Sequence, residues 1–193
     1  MAPDCRAYFN SLAPGWDQNC RQRPDLMRAI ALIAGAGPGQ RVLDIASGTG
    51  ITFPYLLERG IESLTAIDLA PAMVEIARQK FPAEPRLQIL CGDLLGLEAP
   101  PFSCALLYNG YPHFTDKAAL LKKVASLLEP GGRFTVAHGM GREALNAHHG
   151  NVPPGISQPL GPAREEAALW APYFHVDGVF DRPDFYLLTG LRR

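Results

Sequence analysis

Three aspartates and one glycine turn are the residues of this chain best placed by type and spacing to do chemistry. Asp44 lies in the apolar run Arg41-Val42-Leu43-Asp44-Ile45-Ala46, just ahead of Ser47-Gly48-Thr49-Gly50. Glycines directly after a strand permit positive φ and let a ligand approach the backbone closely. The helix that follows offers unpaired N–H groups and a positive dipole end, which suit a phosphate or a carboxylate. Asp44 separates these choices, because an acid there repels pyrophosphate and can hold a cationic amino group. Without a ligand, the same fragment reads as a strand-to-helix turn.

Asp68 ends the apolar stretch Leu64 to Ile67, about 20 residues after the glycines, where a carboxylate accepts hydrogen bonds from ribose hydroxyls. Leu69 stands beside it, and a helix cap before Pro71 is the structural alternative. Gly92-Asp93-Leu94 supplies a third short acid, able to accept from an adenine amino group while Leu94 and Met73 flank the ring. A solvated turn is the alternative there. Tyr108-Asn109-Gly110-Tyr111-Pro112-His113-Phe114 interleaves polar and aromatic groups, and offers Tyr111 or His113 to a substrate. For His113 a packing role is equally compatible.

The elements that must carry these residues alternate from residue 25 onward. Helical spacing predicts a helix over Asp25 to Ala36, with Leu26, Met27, Ile30 and Ile33 on one side. Strands are expected at Arg41–Ala46, Ser63–Ile67, Arg86–Leu90, Cys104–Tyr108 and Arg133–Ala137. Helices are expected after the glycine turn as far as Arg59, from Pro71, and over Asp116–Glu129 with Thr115 as cap and Pro130-Gly131-Gly132 as stop. A last helix (Ala163 to Trp170) precedes strands at Val176–Phe180 and Phe185–Leu191. Their short connection makes them antiparallel. This is an α/β, Rossmann-like, doubly wound sheet, mostly parallel with one reversed strand near the C-terminal edge. Residues 1–193 read as one domain, with residues 1–24 as an N-terminal lid holding Tyr8, Phe9 and Trp16. Residues 139–162, rich in Pro and Gly toward their end, read as a substrate-side insertion.

In this order VLDIASGTG, Asp68, CGDL and LLEPGGRF resemble the class I S-adenosylmethionine-dependent methyltransferases, closest to the small-molecule ubiquinone/menaquinone-biosynthesis type. The segment Tyr8 to Asp17 is similar to the one that lies over the cofactor in that group. The resemblance implies seven strands, with Asp44, Ala46, Ser47, Gly48 and Gly50 at the methionine end and Asp68 at the ribose. It places Asp93 and Leu94 at the adenine and Asn109 at the cofactor's border. Ala46 stands where the family often has its first glycine. Asn109 and Tyr111 depart from the acid or Asn-Pro-Pro-Tyr motif of nucleic-acid and glutamine methylating subfamilies.

Aligning a nucleophile with a sulfonium methyl is mostly a matter of orientation, and a base is needed only when the nucleophile must lose a proton. The candidates are His138, His149 and Tyr111. Arg142, Asn146 and His149 are expected on one face of a helix beside a substrate, together with Tyr8, Trp16 and His113. A metal held by His138, His148 and His149 is the rival reading, without a zinc-type spacing to back it. Cys5 and Cys20 flank the lid as small hydrophobes or soft-ligand thiols, and the four cysteines form no CxxC.

Near-balanced charge with no basic run argues against a nucleic-acid substrate, and no apolar stretch is long enough to span a bilayer. The expectation is a reduced, cytoplasmic enzyme that binds S-adenosyl-L-methionine and methylates a small-molecule acceptor. The alternatives are a non-catalytic binding or scaffold protein of the same fold and a nicotinamide-dependent oxidoreductase. The oxidoreductase fingerprint wants a third glycine where Phe53 stands. The sequence carries no signal for oligomeric state.

Overall fold

The computed structural model describes residues 4–20, 23–150 and 152–193. Its first elements are two short helices, α1 (Cys5–Leu12) and α2 (Trp16–Asn19), followed by α3 (Pro24–Ile33). The sheet begins with β1 (Arg41–Ile45), and α4 (Phe53–Leu57) leads to β2 (Ser63–Asp68) and α5 (Pro71–Lys80). Next come β3 (Leu87–Cys91), β4 (Phe102–Tyr108), α6 (Lys117–Leu127) and β5 (Leu128–His138). The chain finishes with α7 (Arg142–His149), α8 (Ala163–Trp170), β6 (Phe174–Asp181) and β7 (Tyr186–Arg192).

The seven strands form one sheet in the order β3-β2-β1-β4-β5-β7-β6. β1 to β5 pair in parallel, and β7 runs antiparallel to both β5 and β6. The doubly wound sheet with a reversed strand near its edge is therefore observed as expected. Strand order reverses between β1 and β4, which opens a crevice beyond their carboxyl ends. β1 is buried on both faces. Val42 packs toward Met27, Ile30, Phe53 and Leu56, while Leu43 and Ile45 pack toward Leu121, Val124, Phe134 and Trp170. This two-sided burial is what a central parallel strand requires.

Several boundaries differ from the sequence reading for local reasons. In α3 the buried face is Met27, Ile30 and Ala31, and Ile33 turns outward at the helix end. α4 is shorter than expected and starts at Phe53, because the glycine turn runs on through Thr52 before the helix forms. Asp116, rather than Thr115, caps α6 by accepting from the Ala119 N–H at 2.9 Å. Pro130-Gly131-Gly132 does not follow the end of that helix as a stop; it bulges inside β5. Pairing advances there from Phe102↔Leu128 to Cys104↔Arg133. Gly132 is needed, since a Cβ there would lie 2.9 Å from the Glu129 carbonyl and 3.1 Å from that of Ser103. No helix among the described residues is long and apolar enough to cross a membrane.

Candidate active site

A cavity of about 770 Å³ opens over the carboxyl ends of the parallel strands, and Asp44, Asp68 and Asp93 all line it. Asp44 is fully buried. Its Oδ2 accepts from the Thr52 hydroxyl, and its Oδ1 is buried with no hydrogen-bond partner. Burial pushes its carboxyl up to about 7; the Thr52 bond works against this, and the nearby Asp68 adds to it. The Ser47 hydroxyl, also lining the cavity, is buried without a partner too. Buried polar groups with nothing to bond are costly.

Asp68 is held on both oxygens, accepting from Gly48 N–H and from Ala70 N–H at 2.8 Å each. It thus pins the glycine turn and the residue that leads into α5, and each oxygen keeps a further lone pair. Burial raises its carboxyl, and the two backbone N–H groups lower it. Asp93 is exposed and accepts from Leu95 N–H at 2.9 Å. Leu69, Met73, Gly92 and Leu94 line the same wall.

The crossover loops meet at two left-handed residues, Ala46 (φ 53°) and Asn109 (φ 56°), and both line the cavity. An L-residue there costs free energy that the surroundings must offset. Asn109 is fixed by donating its N–H to the Ala137 carbonyl at 2.9 Å and accepting from Gly139 N–H at 3.0 Å. This ties the ends of β4 and β5 together.

The N-terminal segment covers the glycine turn. Asn10 Oδ1 accepts from Ala72 N–H at 2.9 Å, which adds a cap to α5. Asp17 accepts from the Thr49 hydroxyl at 2.5 Å and pairs with Lys80 at 2.8 Å. Phe9 and Trp16 line the cavity with rings 5.9 Å apart, edge to face. Beyond β4 and β5 the wall changes to His113, Phe114, Met140, Leu145, His148 and His149.

Residues 42–132 match a family model described as a methyltransferase domain. The chain is 35% identical over 144 residues to a ubiquinone biosynthesis O-methyltransferase of Xylella fastidiosa (strain M23), covering 67% of this chain and 56% of that relative. It is 26% identical over 138 residues to a demethylmenaquinone methyltransferase of Renibacterium salmoninarum, covering 68% and 56%. Its fold superposes on the N-methyltransferase NodS from Bradyrhizobium japonicum WM9, solved with S-adenosyl-L-homocysteine, at a TM-score of 0.75 and 13% identity over 98% and 99% of the two chains. The chain is similar in sequence to methyltransferases and shares their fold. The chain spans about half the length of the curated relatives it matches.

Not every residue singled out in the sequence reaches this cavity. His138 is 0% exposed, packs edge-on against Tyr186 at 5.9 Å and has neither ring nitrogen bonded. Burial drives it down to about 3, with His149, His113 and Lys117 adding to the effect, so it is a neutral core residue. Tyr111 is buried against α8, where its hydroxyl donates to Glu166 at 3.1 Å and accepts from the Trp170 indole N–H at 3.4 Å. Lys117 completes that buried group by pairing with Glu166 at 2.6 Å.

Arg142 pairs with Asp181 at 3.0 Å. Asn146 clamps Leu160, accepting from its N–H and donating to its carbonyl. Arg142, Asn146 and His149 therefore do not share one cavity-facing surface. Tyr8 packs its ring on Phe9 outside the cavity. Gly50 is a packing glycine at φ 85°, where a Cβ would lie 2.5 Å from the Phe53 ring. Of the residues named for catalysis or substrate, His149, His113 and Trp16 line the cavity.

Among the described residues no three His, Cys, Asp or Glu side chains are grouped to hold a metal. Cys5 and Cys20 line the cavity as free thiols, raised first by burial and then by neighbouring aspartates. The sequence reading missed Thr52, Asn10 and the Thr49–Asp17–Lys80 bridge. For Thr52 a signal was present, since a buried acid on β1 needs a hydroxyl within reach of the next turn. For the other two nothing local shows that the first helices fold back on α5.

Proposed function

We propose that this domain is a methyltransferase that binds S-adenosyl-L-methionine and passes its methyl group in line to a small-molecule acceptor. The observation that carries the reading is the unpartnered, buried Oδ1 of Asp44 facing the cavity beside the free Ser47 hydroxyl. A ligand ammonium supplies what this carboxylate lacks, whereas a pyrophosphate would leave it repelled and unbonded. The residues fit the rest of such a ligand as well. The glycine turn presents backbone to a carboxylate, Asp68 keeps lone pairs for a diol, and Asp93 with Leu94 and Met73 offers an acceptor between apolar surfaces. Relatives named as O-methyltransferases and the S-adenosyl-L-homocysteine seen in NodS support the same ligand.

When bound, the sulfonium supplies an activated methyl carbon. The chain's part is to orient the acceptor and to exclude water, and residues 4–20 act as a lid for that purpose. We assign residues 139–162 to the acceptor side of one domain. The relatives are named for ubiquinone and demethylmenaquinone, which favours a small-molecule acceptor here. Calorimetric titration with S-adenosyl-L-methionine, S-adenosyl-L-homocysteine and NAD tests the reading. Saturable binding of the first two and none of NAD is expected; binding of NAD alone would overturn it.

A further inference from the structure

Two thiols share the cavity with its acids, and the methyl-transfer reading does not use them. Cys5 opens α1 and Cys20 follows α2, so both belong to the segment that covers the glycine turn. Both are half-buried, both line the cavity and both are free. The cover fits closely, since a Cβ added to Gly48 would lie 3.6 Å from the Trp16 indole nitrogen. A group attached to either sulfur on the cavity side competes for the space a ligand needs. The other two cysteines lie elsewhere: Cys91 is exposed on the edge strand β3, and Cys104 is buried in β4.

The charge of the cavity selects the reagent. The described lining residues include Asp44, Asp68, Asp93 and Asp116 and neither lysine nor arginine. A cleft lined by one sign of charge concentrates counter-ions by about tenfold or more. The buried Asp44 Oδ1 and Ser47 hydroxyl, which lack partners, line the same cavity, and an ammonium is the donor that such a carboxylate binds best. Burial first, then Asp68 and Asp4 at Cys5 and Asp17 at Cys20, push both thiols up; Lys80 works against this at Cys20. A reagent that is not first gathered in the cavity therefore meets few thiolates and reacts slowly.

We infer that Cys5 and Cys20 form a modification site for small ammonium-bearing disulfides, and that the adduct and the cofactor exclude one another. The inference rests on the cofactor reading above. A cysteine thiol gives up its proton and attacks one sulfur of the disulfide. A bond forms between the cysteine and that sulfur, the reagent's own S–S bond breaks, and the departing half takes up a proton as a free thiol. The cysteine sulfur is oxidised and the departing sulfur is reduced, with no other oxidant.

The test treats ligand-free protein at pH 8 with cystamine and, in parallel, with the anionic dithiodiglycolate, following each cysteine by peptide mass mapping. Cys91 reports reactivity in open solution. Relative to Cys91, Cys5 and Cys20 should prefer cystamine about tenfold, and Asp44→Asn should reduce that preference. S-adenosyl-L-homocysteine at about 100 times Kd should slow modification of Cys5 and Cys20 about 100-fold and leave Cys91 unchanged. By calorimetry, cystamine-treated protein should bind S-adenosyl-L-homocysteine at least about tenfold more weakly and recover with dithiothreitol. Cys5→Ala with Cys20→Ala should show the same affinity before and after treatment.

Modification of Cys5 and Cys20 that ignores the reagent's charge or the bound ligand overturns the inference, and so does an adduct that leaves affinity unchanged. If S-adenosyl-L-homocysteine does not bind at all, the cofactor reading fails instead. The preference for cystamine and its dependence on Asp44 then decide the modification site by themselves.

Discussion

A carboxylate buried at the end of a parallel strand, with one oxygen bonded to Thr52 and the other to nothing, raises the free energy of the ligand-free protein once it ionises. Asp44 is pushed up to about 7 from an ordinary 3.8. The folded state therefore keeps a proton that the unfolded chain has already given up across that window. The contribution of Asp44 to stability falls as pH rises from about 4 to about 7 and stays low above it. Asp44→Asn removes this slope. Urea unfolding of the ligand-free variant should show it more stable than the wild type at pH 8, with the gap closing toward pH 4. The same substitution should weaken S-adenosyl-L-homocysteine binding by about 10- to 100-fold, the range for a hydrogen bond to a charged group. Greater stability together with lost affinity identifies a binding residue, whereas a packing residue would lose stability. The acids of the cavity were legible in the sequence because an Asp at the end of an apolar run has no packing reason to be there. His138 and Tyr111 were not. β5 is buried on both faces near its end, so apolar neighbours reveal nothing about which side of it meets the cavity.

At the scale of the elements, the strands could be read because a buried parallel strand writes itself as a continuous apolar run, and the glycine turns punctuate it. The N-terminal helices were harder. Their amphipathic face is short, and what holds them is distant in sequence: Phe9, Ala13 and Trp16 pack with Ala70 and Met73, Asn10 bonds α5, and Asp17 lies between Thr49 and Lys80. Such contacts have no local signature. The bulge that carries Pro130-Gly131-Gly132 inside β5 was missed for the opposite reason, since those residues signal a stop wherever they occur. The apolar contact is small and the polar bonds set where the segment lies over the cavity, so loosening those bonds should cost affinity more than stability. Asn10→Ala with Asp17→Asn is expected to weaken S-adenosyl-L-homocysteine binding about fivefold or more, in line with about 1 kcal/mol for a lost cap. It should also hasten proteolytic loss of the first residues, followed by intact mass, while the urea midpoint barely moves. A large fall in that midpoint with unchanged affinity would make these helices part of the core instead of a cover.

Taken as a whole molecule, the sheet order brings together residues that are far apart in the chain. Asp44, Asp68 and Asp93 sit at the ends of three adjacent strands, and His113 and His149 follow the next two. A ligand that bridges these strand ends also touches the first helices through Phe9 and Trp16. It therefore links segments that otherwise meet through a small apolar cluster and a few polar contacts, and the folded state alone can offer this arrangement. Binding should accordingly register as global stabilisation. At a concentration about 100 times Kd, S-adenosyl-L-homocysteine adds about 2.7 kcal/mol. For a chain of this size that corresponds to a rise in Tm of about 5–10 °C. Scanning calorimetry should show a single transition that moves up by this amount, with no movement in NAD and a smaller one below pH 6, where Asp44 holds its proton. A transition that splits, with only part of it moving, would mean that the strand ends and the covering helices do not unfold together, and the ligand would then be reporting on a local site.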